Sequence, residues 1–229
     1  MRQLGFTLIE MILTIIVGSI IVLGIAGFVE LGASGYADTV DRQRLQTQAR
    51  FVLEKMSREV RHSVPNSIES DSDCLSFYPI DYSGFYSVSA ADNLSLSFIV
   101  GNETPPSDYS GYSMVINPSR QSDLTDHGIA LSGASSTITL SEPLDSESIA
   151  NRHYIYSELV TYCFDSSASR ITREVNSNIV QVADSVESAA FNYSEPTLQR
   201  GGIVHIGLTL SNNGESSNFQ QDVQVLNVP

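Results

Sequence analysis

The sequence predicts an α+β protein in which a long N-terminal helix packs on an antiparallel β-sheet head. Three observations support this fold class: an almost unbroken apolar run over residues 6–29, apolar residues at helical spacing over residues 38–62, and alternating segments after Pro65. A period of 3.6 residues is typical of a helix with one buried side, whereas a period of two is typical of a half-buried strand.

Composition narrows the class of protein further. The chain has 229 residues, with 12 Lys+Arg against 26 Asp+Glu and a formal net charge of −14. This acidic excess argues against a nucleic-acid partner, since binding to phosphates depends on clustered basic residues. A hydrophobic fraction of 41% with 17% charged residues indicates a folded chain rather than a disordered one.

The apolar run over residues 6–29 is long enough to cross a bilayer as a helix. Its 24 residues, at about 1.5 Å each, would extend about 36 Å against a hydrocarbon core of about 30 Å. A cleaved secretory signal normally has a shorter apolar stretch of about 7–15 residues, and a plain membrane anchor would need no charge. Glu10 is the only charged residue in the run.

Glu10 needs a positive partner because a carboxylate in an apolar helix is unfavourable. The cost is about 2.5–3.5 kcal/mol at the centre of a membrane helix and smaller near its end. No basic residue lies between Phe6 and Asp41, so the partner must come from elsewhere. We therefore interpret Glu10 as a functional residue.

The segment Gly5-Phe6-Thr7-Leu8-Ile9-Glu10, which follows a short leader containing Arg2, resembles the processing site of type IV prepilins and pseudopilins. The resemblance implies that residues 1–5 are a leader, that a prepilin peptidase/N-methyltransferase cleaves after Gly5, and that Phe6 becomes N-methylated. Glu10 would then neutralise the new α-amine of a neighbouring subunit and set the register between subunits. Because this pattern fixes three residue types at fixed offsets, it is specific.

The resemblance also implies a location and a set of partners. Residues 6–29 would be a single transmembrane helix of the inner membrane with the head in the periplasm, before assembly into a pilus on the cell surface. The expected partners are other major and minor pilins, the peptidase, the inner-membrane assembly platform and the membrane itself. No cofactor is implied.

Residues 30–64 are predicted to continue the helix as an amphipathic half of the stem, ending before Pro65. The buried side is predicted from a stripe formed by Leu45, Ala49, Val52, Met56 and Val60. Four glycines precede it and mark either a bend between two helical halves or close-packing sites between helices: Gly24, Gly27, Gly32 and Gly35. The sequence leaves both alternatives open.

The polar side of the stem carries several arginines. Arg42, Arg44 and Arg50 are either a solvated surface or a basic face that contacts the acidic head of an adjacent subunit. We hypothesise that they contact the adjacent subunit.

Residues 65–229 are predicted to form the β-rich head, with its strands in an antiparallel sheet. Alternation predicts strands around Leu96, Ile138 and Leu208, a strand–turn–strand over residues 159–175, and continuation of the sheet through residues 179–193. The segment from Asp81 to Arg152 is rich in Pro, Gly, Ser and Asp, which predicts loops and short strands.

A further resemblance concerns the type of pilin. The stem around residues 47–61 and the strands around Tyr162 and Tyr193 are similar to the minor-pilin group that includes the J-type pseudopilins of type II secretion. The ending over residues 225–229 is similar to minor pilins of the mannose-sensitive haemagglutinin pilus. This resemblance implies a minor subunit that acts in pilus assembly or initiation. The alternatives are a type II secretion minor pseudopilin and a tip adhesin that uses the loops over residues 81–152.

Two cysteines, Cys74 and Cys163, lie in predicted strands. In the oxidising compartment implied by the resemblance they can form a disulfide, worth about 4.5 kcal/mol by chain entropy, and two buried free thiols are the alternative.

Enzyme and metal motifs are missing from the sequence. The histidines have no metal-ligand spacing, and neither a Gly-x-Ser-x-Gly elbow nor a phosphate loop is present. We therefore expect a non-catalytic protein. Asp71 with Asp73, or Asp81 with Asp92, could supply oxygen ligands to calcium. We favour solvated acidic loops instead, since no loop has a defined ligand spacing.

Overall fold

A computed structural model describes residues 7–101, 105–133, 135–197 and 200–225. The first element is one continuous helix, α1, over Leu8–Arg61. It ends at His62, whose backbone N–H donates to the Glu59 carbonyl at 3.1 Å. The helix therefore stops a few residues before the predicted end at residue 64. It passes through all four glycines without a break, and both interpretations of these glycines stay predictions.

Fourteen strands and one short helix follow in the described part of the chain. They are β1 Glu69–Ser70, β2 Cys74–Phe77, β3 Tyr82–Val88, β4 Ser95–Val100, β5 Ser113–Val115, α2 Ser122–Asp126, β6 Ile129–Ala130, β7 Thr137–Thr139, β8 Arg152–Tyr156, β9 Val160–Asp165, β10 Arg170–Val175, β11 Asn178–Ala183, β12 Val186–Ser194, β13 Ile203–Asn212 and β14 Glu215–Gln224.

The strands form three sheets, and all their pairings are antiparallel. The orders are β1-β2-β9-β10-β11, β12-β13-β14 and β6-β5-β8-β3-β4-β7. The predicted α+β class with an antiparallel head is confirmed, but the prediction of one sheet is wrong. After Ala183 the chain turns through Ser185, which has a φ of 54°, and Val186 starts a separate sheet instead of extending the previous one.

The main core lies between α1 and the first two of these sheets. The predicted helix stripe is buried, with Met56 and Val60 completely inaccessible to solvent. It shares this core with large side chains from four strands, namely Phe77, Tyr162, Phe191, Ile206 and Leu208. Because apolar area removed from water contributes about 25 cal/mol per Å², this cluster is the principal attachment of the stem to the head.

The six-stranded sheet forms a second lobe with a core of its own. Its buried side chains include Leu96, Phe98, Met114 and Ile155. The prediction of loops and short strands for this region is therefore correct for its short strands but underestimates the order of the sheet. Strands β5 and β6 have only three and two residues, too few to give a periodic signal.

Candidate functional site: the stem helix and its junction with the head

The N-terminal part of α1 is exposed along nearly its whole length. Residues 8–40 are exposed almost throughout, polar contacts with the head begin at Asp41, and the first deeply buried residue is Leu45. An 18-residue window of this helix is apolar enough to cross a membrane, with a mean hydropathy of 2.7. The exposed apolar surface therefore matches a hydrocarbon environment rather than water.

Glu10 lies in the first turn of α1. The backbone N–H of Glu10 donates to the Thr7 carbonyl at 3.1 Å, and Thr7 is the residue at which the helix begins. A negative side chain in this turn is favoured by the helix dipole. Within the described part of the chain no basic side chain pairs with Glu10. Gly5 and Phe6, the predicted cleavage and methylation residues, lie outside the described residues.

Glu59 joins the stem to the head. Tyr162 of β9 donates its hydroxyl to Glu59 Oε2 at 3.0 Å, and Arg173 Nε of β10 donates to the same oxygen at 3.0 Å. Lys55 Nζ donates to the other oxygen at 2.8 Å. Burial alone would raise the pKa of Glu59, but the hydrogen bonds from Lys55, Arg173 and Tyr162 together lower it below its usual value. The carboxylate is thus held ionised at the centre of the junction.

The sequence did not identify Glu59 as a junction residue. Its partner Tyr162 lies 103 residues further along the chain, so local spacing gives no sign of the contact. Burial, and then the neighbouring Glu59, raise the pKa of Tyr162. This tyrosine therefore stays protonated as a donor.

Two arginines of the predicted basic face form ion pairs with the chain's own head. Arg42 pairs with Glu215 at 3.0 Å, and Arg44 lies 3.5 Å from Asp184. In the single chain these two arginines thus have acidic partners in their own head, and a contact with an adjacent subunit stays a prediction. Arg50 has no ion-pair partner among the residues that the structure describes.

A second set of contacts holds the β13–β14 turn against the stem. Asn213, with a φ of 51°, and Gly214, with a φ of 86°, form this tight turn. Positive φ at both positions is the requirement of the turn that best matches strand twist. Asn213 Nδ2 donates to Asp41 Oδ2 at 2.8 Å, next to the Arg42 ion pair. The turn therefore clamps the point at which the stem leaves the head.

Cys74 and Cys163 are directly opposite each other on β2 and β9 and form a disulfide. Their Cα atoms are 4.2 Å apart and 89 residues apart in sequence. The bond links two neighbouring strands of the five-stranded sheet that packs on α1.

The acidic residues considered for calcium have other roles. Asp71 Oδ1 accepts the backbone N–H groups of Asp73 and Cys74, and Asp92 Oδ1 accepts those of Leu94 and Ser95. Asp81 accepts the Ser157 hydroxyl. In the described part of the chain no group of three or more His, Cys, Asp or Glu is arranged to hold a metal ion.

The second lobe contains a half-open cleft of about 850 Å³ that the sequence did not reveal. One wall of the cleft comes from the segment around α2 and the other from the loop after β7. His127 Nδ1 of the first wall lies 2.8 Å from Asp145 Oδ2 of the second. The next residue, Gly128, has no room for a side chain, because a Cβ there would lie 2.4 Å from the Leu124 carbonyl oxygen.

Comparison with known proteins gives one match. Residues 1–26 match the family model described as the prokaryotic N-terminal methylation motif. No curated protein and no solved structure matches the chain.

The motif, the exposed apolar helix and the antiparallel head together fit a membrane-anchored protein of the pilin-like class. Within that class, the motif indicates a type IV prepilin-like protein, that is, a pilin or pseudopilin. Such a motif suggests a structural subunit rather than an enzyme. It implies, in general terms, interaction with other pilins and with a prepilin peptidase.

Proposed function

We propose that this chain is a minor pilin of a type IV pilus of the mannose-sensitive haemagglutinin kind, acting in pilus assembly or initiation. A prepilin peptidase/N-methyltransferase cleaves it after Gly5 and methylates Phe6. The subunit is held in the inner membrane by residues 6–29 until the assembly platform inserts it among other major and minor pilins. The methylation motif over residues 1–26 supports the processing step.

The observation that carries the proposal is the position of Glu10. It is the only charged side chain among residues 8–29 of a helix whose surface there is otherwise apolar, and no described residue neutralises it. Two opposite charges buried together are far less costly than one alone. A new α-amine on a neighbouring subunit supplies the missing positive charge and fixes the axial register between the two helices.

The test replaces Glu10 with glutamine in the full chain, and Glu30→Gln is the matched control beyond the apolar run. Membrane levels and leader cleavage are measured by immunoblot, and incorporation is measured in sheared filaments. We expect Glu10→Gln to leave the membrane level and cleavage unchanged but to reduce incorporation about tenfold or more, whereas the control incorporates normally. Normal incorporation of Glu10→Gln would refute the proposal.

A tip adhesin is the second candidate function, and the cleft in the second lobe favours it, since ligand sites commonly occupy clefts of about 300–1,000 Å³. Deletion of the protein distinguishes the candidates. Loss of pili indicates the assembly role, intact pili with lost adhesion indicate the adhesin, and retention of secreted enzymes in the periplasm indicates a type II secretion pseudopilin.

A further inference from the structure

The second lobe is an insertion between two paired strands. Strands β3 to β8 are contiguous in the sequence and form the six-stranded sheet alone, whereas the neighbouring strands β2 and β9 pair directly with each other. Phe77, the last residue of β2, lies opposite Val160, the first residue of β9. Residues 78–159 therefore leave and re-enter the head at one point, as a loop of a hairpin does.

The lobe has its own interior. Its core of buried apolar side chains is separate from the core under α1. In the described part of the chain, each strand of the lobe is hydrogen-bonded within the lobe, and none belongs to either of the other sheets. A separate core, and a sheet that shares no strand with the other sheets, are properties of a domain.

The contacts between the lobe and the rest of the head lie mainly at residues 62–67, where the His62 carbonyl accepts the Ile80 N–H at 2.8 Å and Asn66 Nδ2 donates to the Pro118 carbonyl at 2.9 Å. Val64, just beyond the C-terminal end of α1, packs with Tyr154 and Tyr156 of the lobe, and its backbone N–H donates to the Tyr78 carbonyl at 2.8 Å. Gln121 Nε2 donates to the Ser67 carbonyl at 2.6 Å. These contacts lie at the end of the stem away from Glu10, so the lobe touches none of the apolar half of α1.

We infer that residues 78–159 form an inserted domain that unfolds independently and is dispensable for entry into the filament. The second part of this inference rests on the proposed function. Incorporation then depends on residues 6–77 with 160–229, which contain the helix, the disulfide and both sheets that pack on the stem. The inserted domain serves a separate role at the far end of the subunit.

Independent unfolding is tested with the full chain in non-ionic detergent, by hydrogen exchange resolved along the sequence. Leu96→Ala removes a completely buried side chain from the lobe, and Leu208→Ala removes one that is 2% exposed from the stem-packed core. We expect Leu96→Ala to speed exchange about tenfold or more within residues 78–159 only. Leu208→Ala should speed exchange only outside residues 78–159. Faster exchange in both parts from either variant would overturn the inference.

Dispensability is tested by replacing residues 78–159 with Asn-Gly, which allows a two-residue turn between Phe77 and Val160. Loss of free thiols in the denatured, unreduced protein reports that Cys74 and Cys163 still meet. The full chain must first enter filaments, because its failure would refute the proposed function and not this inference. Once the full chain is found in filaments, we expect the amounts of the shortened chain and of the Leu96→Ala variant in filaments to lie within about twofold of it. Absence of both from filaments would overturn the inference.

Discussion

The hydroxyl of Tyr162 donates to Glu59 Oε2 at 3.0 Å, and this bond joins the stem helix to the middle of the five-stranded sheet. Because Arg173 donates to the same oxygen, the carboxylate is shared between two neighbouring strands. The helix is thus attached to the head by a polar contact beside the apolar one.

Glu59→Gln should lower the free energy of unfolding by about 1–3 kcal/mol, because Lys55 and Arg173 lose a charged partner in a half-buried site. Chemical denaturation followed by circular dichroism measures it. Glu54→Gln is the matched control, since its pair with Arg58 is largely exposed and should contribute less than about 0.5 kcal/mol. Equal losses in the two variants would show that the junction adds nothing.

The lobe should lose stability at acidic pH through His153. This histidine is completely buried, and burial lowers its pKa to about 4, only partly offset by the Phe85 backbone. The unfolded chain binds the proton more readily, so the contribution is full above about pH 6.5 and is lost as the pH falls towards 4. Segment-resolved hydrogen exchange between pH 7 and 4 measures it.

His153→Leu removes this titration and should flatten the pH dependence of exchange in residues 78–159. Leu96→Ala is the control, because it weakens the same core without removing a titrating group and should leave the dependence in place. A lobe of unchanged acid sensitivity in His153→Leu would contradict the assignment.

Glu59 should also make the stability of the protein depend on pH, in a more acidic range than His153 does. Its pKa is lowered in the folded protein, so its stabilisation is present above the ordinary carboxyl pKa of 4.5 and disappears as the pH falls through the folded value. The loss should occur in the stem-packed part of the chain and be missing in Glu59→Gln. Urea midpoints compared at pH 6 and pH 3.5 measure this difference, and identical shifts in both proteins would disprove it.

Removal of the disulfide by Cys74→Ala with Cys163→Ala should lower the free energy of unfolding by about 2–5 kcal/mol, since the bond closes a loop of 89 residues in the unfolded chain. Thermal unfolding with and without reductant measures it. The double variant should be insensitive to reductant, whereas a native chain equally insensitive to it would show that the bond contributes nothing.

Arg42→Glu should loosen the β13–β14 turn by placing a second negative charge beside Glu215. Because the pair is more than half exposed at Arg42, we expect a loss of only about 0.5 kcal/mol, restored in part by Glu215→Arg. Arg50→Glu is the control and should not change exchange in residues 212–216. Faster exchange in the control would contradict the local assignment.

The sequence predicted those parts of the fold that depend on local spacing. The buried stripe from Leu45 to Val60 has a helical period, and the β9–β10 hairpin has a clear polar turn between two apolar strands. It did not predict which strands share a sheet, because pairing joins residues far apart, as Cys74 and Cys163 do. The role of Glu59 was missed for the same reason, and Glu10 was found because its environment is defined by its immediate neighbours.

The N-terminal part of α1 projects from the head without contacts that would fix its direction. Residues 8–40 extend about 50 Å, at about 1.5 Å per residue, from the point where Asp41 and Arg42 meet the β13–β14 turn. A tilt of about 10° at that point would move Glu10 sideways by about 8 Å. The direction of the N-terminal end is therefore set by how the opposite end of the helix is held, through the buried stripe from Leu45 to Val60 and the polar contacts of Asp41 and Arg42.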